Sequence, residues 1–302
     1  MDTSLARSLG SVVVGVDGSE SSVASLRWAA EEAAIRNETL RIVTVWSTPV
    51  VSMPAPTVGY FIDPALFEAD GERIVQDAIA SVRADMGDRA PEITTAVLQG
   101  LPITQLLEAS NDASLLVLGS RGRGGFASLL LGSVALGCTH HAKIPVAVIH
   151  HPDVLPGSGD VVVGVDDSDG ARHALRWAAT EAARWGSRLV VVHAWETPYA
   201  VPSGGSAFGP MIIKELIRES EQLLDRLIAG ACDGMEHPPT ITKHSVPLGA
   251  VEALLGEAKG ASLLVVGSRG RGGFAGLVMG SVSQHCVYHA PCPVIAVPEE
   301  MS

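Results

Sequence analysis

Leu115-Leu-Val-Leu-Gly119-Ser120-Arg121-Gly122-Arg123-Gly124-Gly125, followed further on by Gly132-Ser133-Val134, is the stretch on which the fold reading turns. Four apolar residues in a row read as a buried strand, the glycine cluster as a turn at its end, and Gly132-Ser133 as the start of a helix. The same order returns as Leu263-Leu-Val-Val, then Gly267-Ser268-Arg269-Gly270-Arg271-Gly272-Gly273, then Gly280-Ser281-Val282. Strand, glycine loop and helix are the ingredients of an α/β unit, and the chain spells them twice.

Working outward, the rest of the chain repeats as well. Ser11-Val-Val-Val-Gly15-Val-Asp17 recurs as Asp160-Val-Val-Val-Gly164-Val-Asp166, Leu26-Arg-Trp28 as Leu175-Arg-Trp177, and Trp46 as Trp195. Order and spacing held over this length indicate tandem duplication. A chain of 302 residues also suits two domains. We place them at residues 8–151 and 159–299, joined by the turn-rich linker 152–158.

In the first half, apolar β-branched runs at residues 12–16, 40–45, 93–98, 115–118 and 146–149 alternate with amphipathic stretches at 21–36, 64–86, 103–109 and 133–142. The second half repeats the pattern from Val161 to Val297. Continuous apolar strands separated by helices predict a Rossmann-like, doubly wound, five-stranded parallel sheet in each half. Ser19 or Ser21 is positioned to cap the first helix.

Composition narrows the function. A formal net charge of −12 argues against a surface that neutralises nucleic acid or lies on anionic lipid. No secretory leader opens the chain and no apolar run approaches the length of a membrane span, so a cytoplasmic protein is expected. Cys138, Cys232, Cys286 and Cys292 form neither a CxxC pair nor a disulfide framework and read as reduced thiols.

The glycine loop carries the chemistry. Glycines let successive N–H groups converge and let a phosphate approach the backbone closely. Ser133 and Ser281 add hydroxyl donors at a helix start, where the dipole favours an anion. Arg121, Arg123, Arg269 and Arg271 add positive charge on an otherwise acidic chain. A glycine-rich turn can also serve only to reverse the chain, but the spacing Gly-x2-Gly-x9-Gly-Ser, found twice, favours phosphate binding. No Gly-Lys-Ser/Thr follows, which excludes a Walker A loop, and the loop comes after the fourth strand, not the first, which excludes the dinucleotide fingerprint.

The first strand ends in Gly15-Val-Asp17, and its repeat in Gly164-Val-Asp166. Ligands of open parallel sheets bind at the strand carboxyl ends beside the topological switch point, where strand one would meet strand four. Asp17 and Asp166 can accept from ribose hydroxyls or an adenine amine there, or can cap the next helix.

At these residues the chain resembles the universal stress protein family. The paired Gly-x2-Gly-x9-Gly-Ser motifs, Val14-Gly-Val-Asp-Gly-Ser19 and Pro145-Val-Ala-Val carry the likeness, which is to the ATP-binding branch in its tandem, actinobacterial form. The resemblance implies one ATP per half, with Mg²⁺, and a nucleotide-dependent regulator of stress response and growth. It puts Gly15, Asp17 and the backbone of Val45 near the adenosine. Residues 119–125 with Gly132, Ser133 and Val134 then surround ribose and phosphates. In the second half the matching positions are Gly164, Asp166, Ala194, residues 267–273, Gly280, Ser281 and Val282. Asp167 replaces Gly18 and Ala194 replaces Val45, changes small enough that two occupied sites are expected, with their relative affinity left open. A slow Mg-dependent ATPase or phosphotransferase and a nucleotide-stabilised scaffold remain alternatives. Efficient phosphoryl transfer is not expected, because neither loop holds a lysine and no repeated base stands beside the glycines.

The strands at 146–149 and 294–297 are expected at sheet edges, where pairing would join domains about a two-fold axis. The resemblance points the same way and to a homodimer, with a regulatory protein partner open. His285 and His289 stand four apart, but the pair is not repeated, and no metal site is expected. Trp28 and Trp177 read as core, while Trp46 and Trp195 could wall the adenine pocket. Residues 48–63 and 197–210 read as surface loops that could cover the site.

Overall fold

The computed structural model describes residues 10–48, 63–123, 131–196, 208–270 and 279–299. The chain divides into two compact units between Cys138 and Thr139. In the first, β1 (Ser11–Gly15), β2 (Thr39–Trp46), β3 (Ile93–Gln99) and β4 (Leu115–Gly119) form a parallel sheet in the order β3-β2-β1-β4. Helices α1 (Glu20–Arg36), α2 (Pro64–Met86) and α3 (Pro102–Ala109) connect them. The division falls inside α4 (Ser133–His141), so β5 (Val146–Ile149), the last strand of the first repeat, groups with the second unit.

The second unit repeats the scheme with β6 (Val161–Gly164), α5 (Asp169–Trp185), β7 (Leu189–Ala194), α6 (Phe208–Cys232), β8 (Ile241–Val246), α7 (Ala250–Glu257), β9 (Leu263–Gly267), α8 (Ser281–His289) and β10 (Val294–Val297). Its strands run β5-β10-β9-β6-β7-β8, all parallel except that β5 lies antiparallel to β10. Val294 opposes Val148, Ile295 opposes Ala147 and Ala296 opposes Val146. The two last strands therefore pair edge to edge inside one chain, as expected for strands that join domains, and the homodimer also expected through these edges would find them already paired.

Valines and leucines of the central strands are buried on both faces, as a helix-covered parallel sheet requires. On α1 the buried stripe includes Ala29, Ala30 and Ala33, whose small side chains let the helix lie close on the sheet. Trp28 is buried in this stripe, whereas its repeat Trp177 is only half-buried. Ser19, not Ser21, caps α1, accepting from the Ser22 backbone N–H at 3.2 Å. Ser168 does the same for α5 with Ala171. Both helices close on a left-handed residue, Asn37 and Gly186.

Candidate functional site

In the first unit β1 is flanked by β2 and β4, whose connections leave in opposite directions, so a crevice opens at the carboxyl ends of β1 and β4. A cavity of about 420 Å³ occupies it. Gly15, Asp17, Val45, Gly119, Arg121, Gly122, Arg123, Gly132, Ser133 and Val134 all line it. A second cavity of about 390 Å³ sits at the matching place between β6 and β9. It is lined by Gly164, Asp166, Ala194, Gly267, Arg269, Gly270, Gly280, Ser281 and Val282. Gly124, Gly125, Arg271, Gly272 and Gly273 lie outside the described residues, as do most of the two expected surface loops.

Asp17 organises the loop. Its Oδ1 accepts from the Ser19 backbone N–H at 3.0 Å and from the Ser19 hydroxyl at 2.6 Å. Its Oδ2 accepts from the Arg123 backbone N–H at 2.9 Å. Burial alone would raise the pKa of this carboxyl. The bonds from the Ser19 side chain and backbone, the Arg123 backbone and Ser22 together outweigh that and hold it below its ordinary value. Asp17 thus ties the helix cap to the glycine loop without being the cap itself. Asp166 repeats the arrangement with the backbone and hydroxyl of Ser168.

The glycines differ in what they are for. A Cβ on Gly119 would lie 2.7 Å from the Ser21 carbonyl oxygen, and one on Gly267 2.8 Å from that of Gly170, so these glycines let β4 and β9 abut the first turn of α1 and α5. A Cβ on Gly122 or Gly270 would lie 2.6 Å from a carboxylate oxygen of Asp17 or Asp166. Those four are explained by the protein's own packing. Gly132 and Gly280 are not: the nearest atoms to a Cβ there are at 3.5 and 3.7 Å, ordinary contact, and Gly280 has φ −72°. Each donates its N–H to the carbonyl of Ser120 or Ser268, at 2.7 and 2.8 Å, bringing the helix start back over the loop. Ser120 and Ser268 contribute these carbonyls and do not line the cavities.

Two of the loop arginines pair with acidic side chains at the rim of the cavities. Arg123 Nη1 bonds Asp70 Oδ2 on α2 at 2.9 Å, and Arg269 reaches Glu299 at 3.3 Å. Trp46 stacks on Phe67 with centroids 6.4 Å apart, and Trp195 donates to Ser245. Neither tryptophan is part of the cavity wall. The walls instead include Pro102 and Leu106 of α3, and Ala250 and Leu254 of α7. Sequence reading passed over these residues because a helix's apolar stripe looks the same whether it meets a core or a cavity.

The two sites are not identical. Ser21 accepts from the Arg121 backbone N–H at 3.2 Å, but Gly170 stands at its repeat position. There the loop is held by Ser283, which donates to the Gly267 carbonyl at 2.6 Å. Gly18 has φ +76°, whereas Asp167 replaces it and pairs with Arg172 at 2.5 Å.

The cysteines are free, and burial pushes the Cys138, Cys286 and Cys292 thiols up to about 12, where they are unreactive. Among the described residues no group of three or more His, Cys, Asp or Glu side chains could hold a metal ion, and no helix is long and apolar enough to cross a membrane.

The sequence profile of the universal stress protein family matches residues 9–150 and, again, 158–298. The chain belongs to the universal stress protein family. It is 36% identical over 292 residues to universal stress protein Rv2005c of Mycobacterium tuberculosis, covering 94% of this chain and 95% of the relative. Rv1996 of the same organism is also 36% identical, over 303 residues, with 94% and 93% covered. The fold is similar to the crystal structure of a universal stress protein from Archaeoglobus fulgidus, with TM-score 0.67 at 20% identity over 96% of this chain and 98% of that one. In this universal stress protein, as the fold class predicts, both copies are α/β domains with parallel sheets.

Proposed function

We propose that each half binds one ATP in the cavity at its switch point and that the protein acts as a nucleotide-dependent regulator in the cytoplasm. The observation that carries this reading is the glycine at 132 and 280. Packing explains Gly119, Gly122, Gly267 and Gly270, but here the protein has room for a side chain and has none, on the cavity wall beside a helix N-terminus. A phosphate resting on the backbone gives that space a use. Cavities of about 420 and 390 Å³, with apolar walls from Val45, Leu106 and Leu254, suit a purine nucleoside inside and a polar chain at the glycine end.

Mg²⁺ would enter with the phosphates, not in a protein cage, since the Asp17 carboxylate is already engaged by Ser19 and Arg123. The same engagement makes Asp17 a weak base, which favours holding ATP over hydrolysing it. A homodimer would need surfaces other than the mutually paired β5 and β10.

Mass spectrometry of ligand released from protein purified without added nucleotide tests the reading. ATP is expected, and calorimetry on emptied protein should give two sites per chain. Absence of nucleotide together with no ATP uptake would overturn it.

A further inference from the structure

Arg123 is held at two points that face different ways. Its backbone N–H is fixed to Asp17 inside the loop at 2.9 Å, while its guanidinium crosses over Gly18 to Asp70 on α2, also at 2.9 Å. The crossing needs a glycine beneath it: a Cβ at position 18 would lie 2.5 Å from Arg123 Nη2. The side chain borders both the nucleotide cavity and a separate cleft of about 210 Å³ between α1 and α2. With its backbone anchored, the guanidinium can move from one space to the other by rotation about side-chain bonds alone.

Asp70 is shared. Arg73 on the same helix bonds its other oxygen at 2.5 Å and also reaches Asp77 at 2.9 Å, so Asp70 keeps a cationic partner if Arg123 leaves. Asp70 and Arg123 are both half-exposed, and such a pair is weak. A polyphosphate offers more charge and bidentate acceptor geometry than one carboxylate already shared with Arg73. In the second half Asp167 stands at the position of Gly18 and is engaged by Arg172.

We propose that Arg123 is an ion-pair switch in the first domain: Asp70 holds its guanidinium in the empty site, and the phosphate chain of a bound nucleotide takes it. Occupancy of the cavity is thereby reported on the outer face of α2 as the release of Asp70 from Arg123. Asp70 is a positioning residue that acts through Arg123 and opposes binding. The inference rests on the reading that the cavity takes a polyphosphate nucleotide.

The test uses the full chain with the second site blocked by Gly280→Glu, titrated with Mg-ATP and with adenosine. Asp70→Asn should tighten ATP about two- to fivefold by removing the competitor, leave adenosine unchanged, and be reversed by Asp70→Glu. Arg123→Gln should weaken ATP about tenfold and make Asp70→Asn silent in the double variant. If Asp70→Asn weakens ATP binding, Asp70 merely clips the loop in place and the switch is wrong. Unchanged affinity in Asp70→Asn, with ATP still bound by the parent, also overturns the switch but leaves the site reading intact. A parent that takes up no ATP overturns the site reading and the switch with it.

Discussion

A missing Cβ can mean crowding or reserved space, and the two loop copies contain both. Gly119→Ala would drive a methyl against the Ser21 backbone, with the carbonyl oxygen at 2.7 Å, and should cost about 1–3 kcal/mol in chemical denaturation. Gly132→Ala meets nothing closer than 3.5 Å, so stability should hold while ATP affinity falls. Equal destabilisation by both substitutions would remove the distinction. Asp17 adds a pH signature. Its folded pKa lies below the ordinary 3.8, so its contribution to stability is complete above that value and disappears as pH falls through the folded one. The stability gap between the wild type and Asp17→Asn should stay constant from neutral pH down to about 4 and narrow below. A gap that does not change with pH would mean that Asp17's bonds to Ser19 and Arg123 do not stabilise the fold. The sequence made Asp17 and the glycines visible through their repetition. Which glycine serves packing was not legible, because that depends on the Ser21 and Gly170 carbonyls, distant in sequence and brought close by the fold.

Elements were more legible than contacts. Strand 146–149 and helix 64–86 fall where periodicity and Pro64 place them, since β-branched runs and a proline at a helix start act locally. Pairs inside an element can still surprise. At the end of α1, Glu32 is fully buried with Arg36, and in α5 the buried Glu181 pairs with a partly exposed Arg184 at 2.8 Å, an acid retained at the same position of both copies. Taking away one partner of a buried pair leaves a charge in a poor solvent. Arg36→Met should therefore destabilise by about 3–5 kcal/mol, and the double change Glu32→Leu/Arg36→Met should recover most of it. Urea denaturation of the three variants checks this. A double variant no better than the single one would show that Glu32 is stabilised through other bonds.

At the scale of the whole molecule, the duplication and the edge-to-edge pairing of the two last strands were plain in sequence, but whether those edges serve one chain or two was not. Periodicity identifies an apolar strand and says nothing about which copy's edge it joins. The first repeat's last strand is antiparallel to the second repeat's last strand, both fully buried, so the backbone groups that could recruit a second copy are satisfied within one chain. The connection at 152–158 crosses exposed turns, with Gly157 at φ +74° and the Ser158 N–H bonded to the Leu155 carbonyl at 3.2 Å. If β5 and β10 are held by their ladder and not by the covalent link, a protease site inserted between Gly157 and Ser158 should be cut readily in the native protein. The two fragments should nevertheless elute together at the mass of the intact chain and keep their helical circular dichroism. Separation into independent folded pieces would mean that the linker, not the β5–β10 pairing, keeps the repeats together. Conversion of the cut protein into larger assemblies would mean that these edges pair just as readily with another copy.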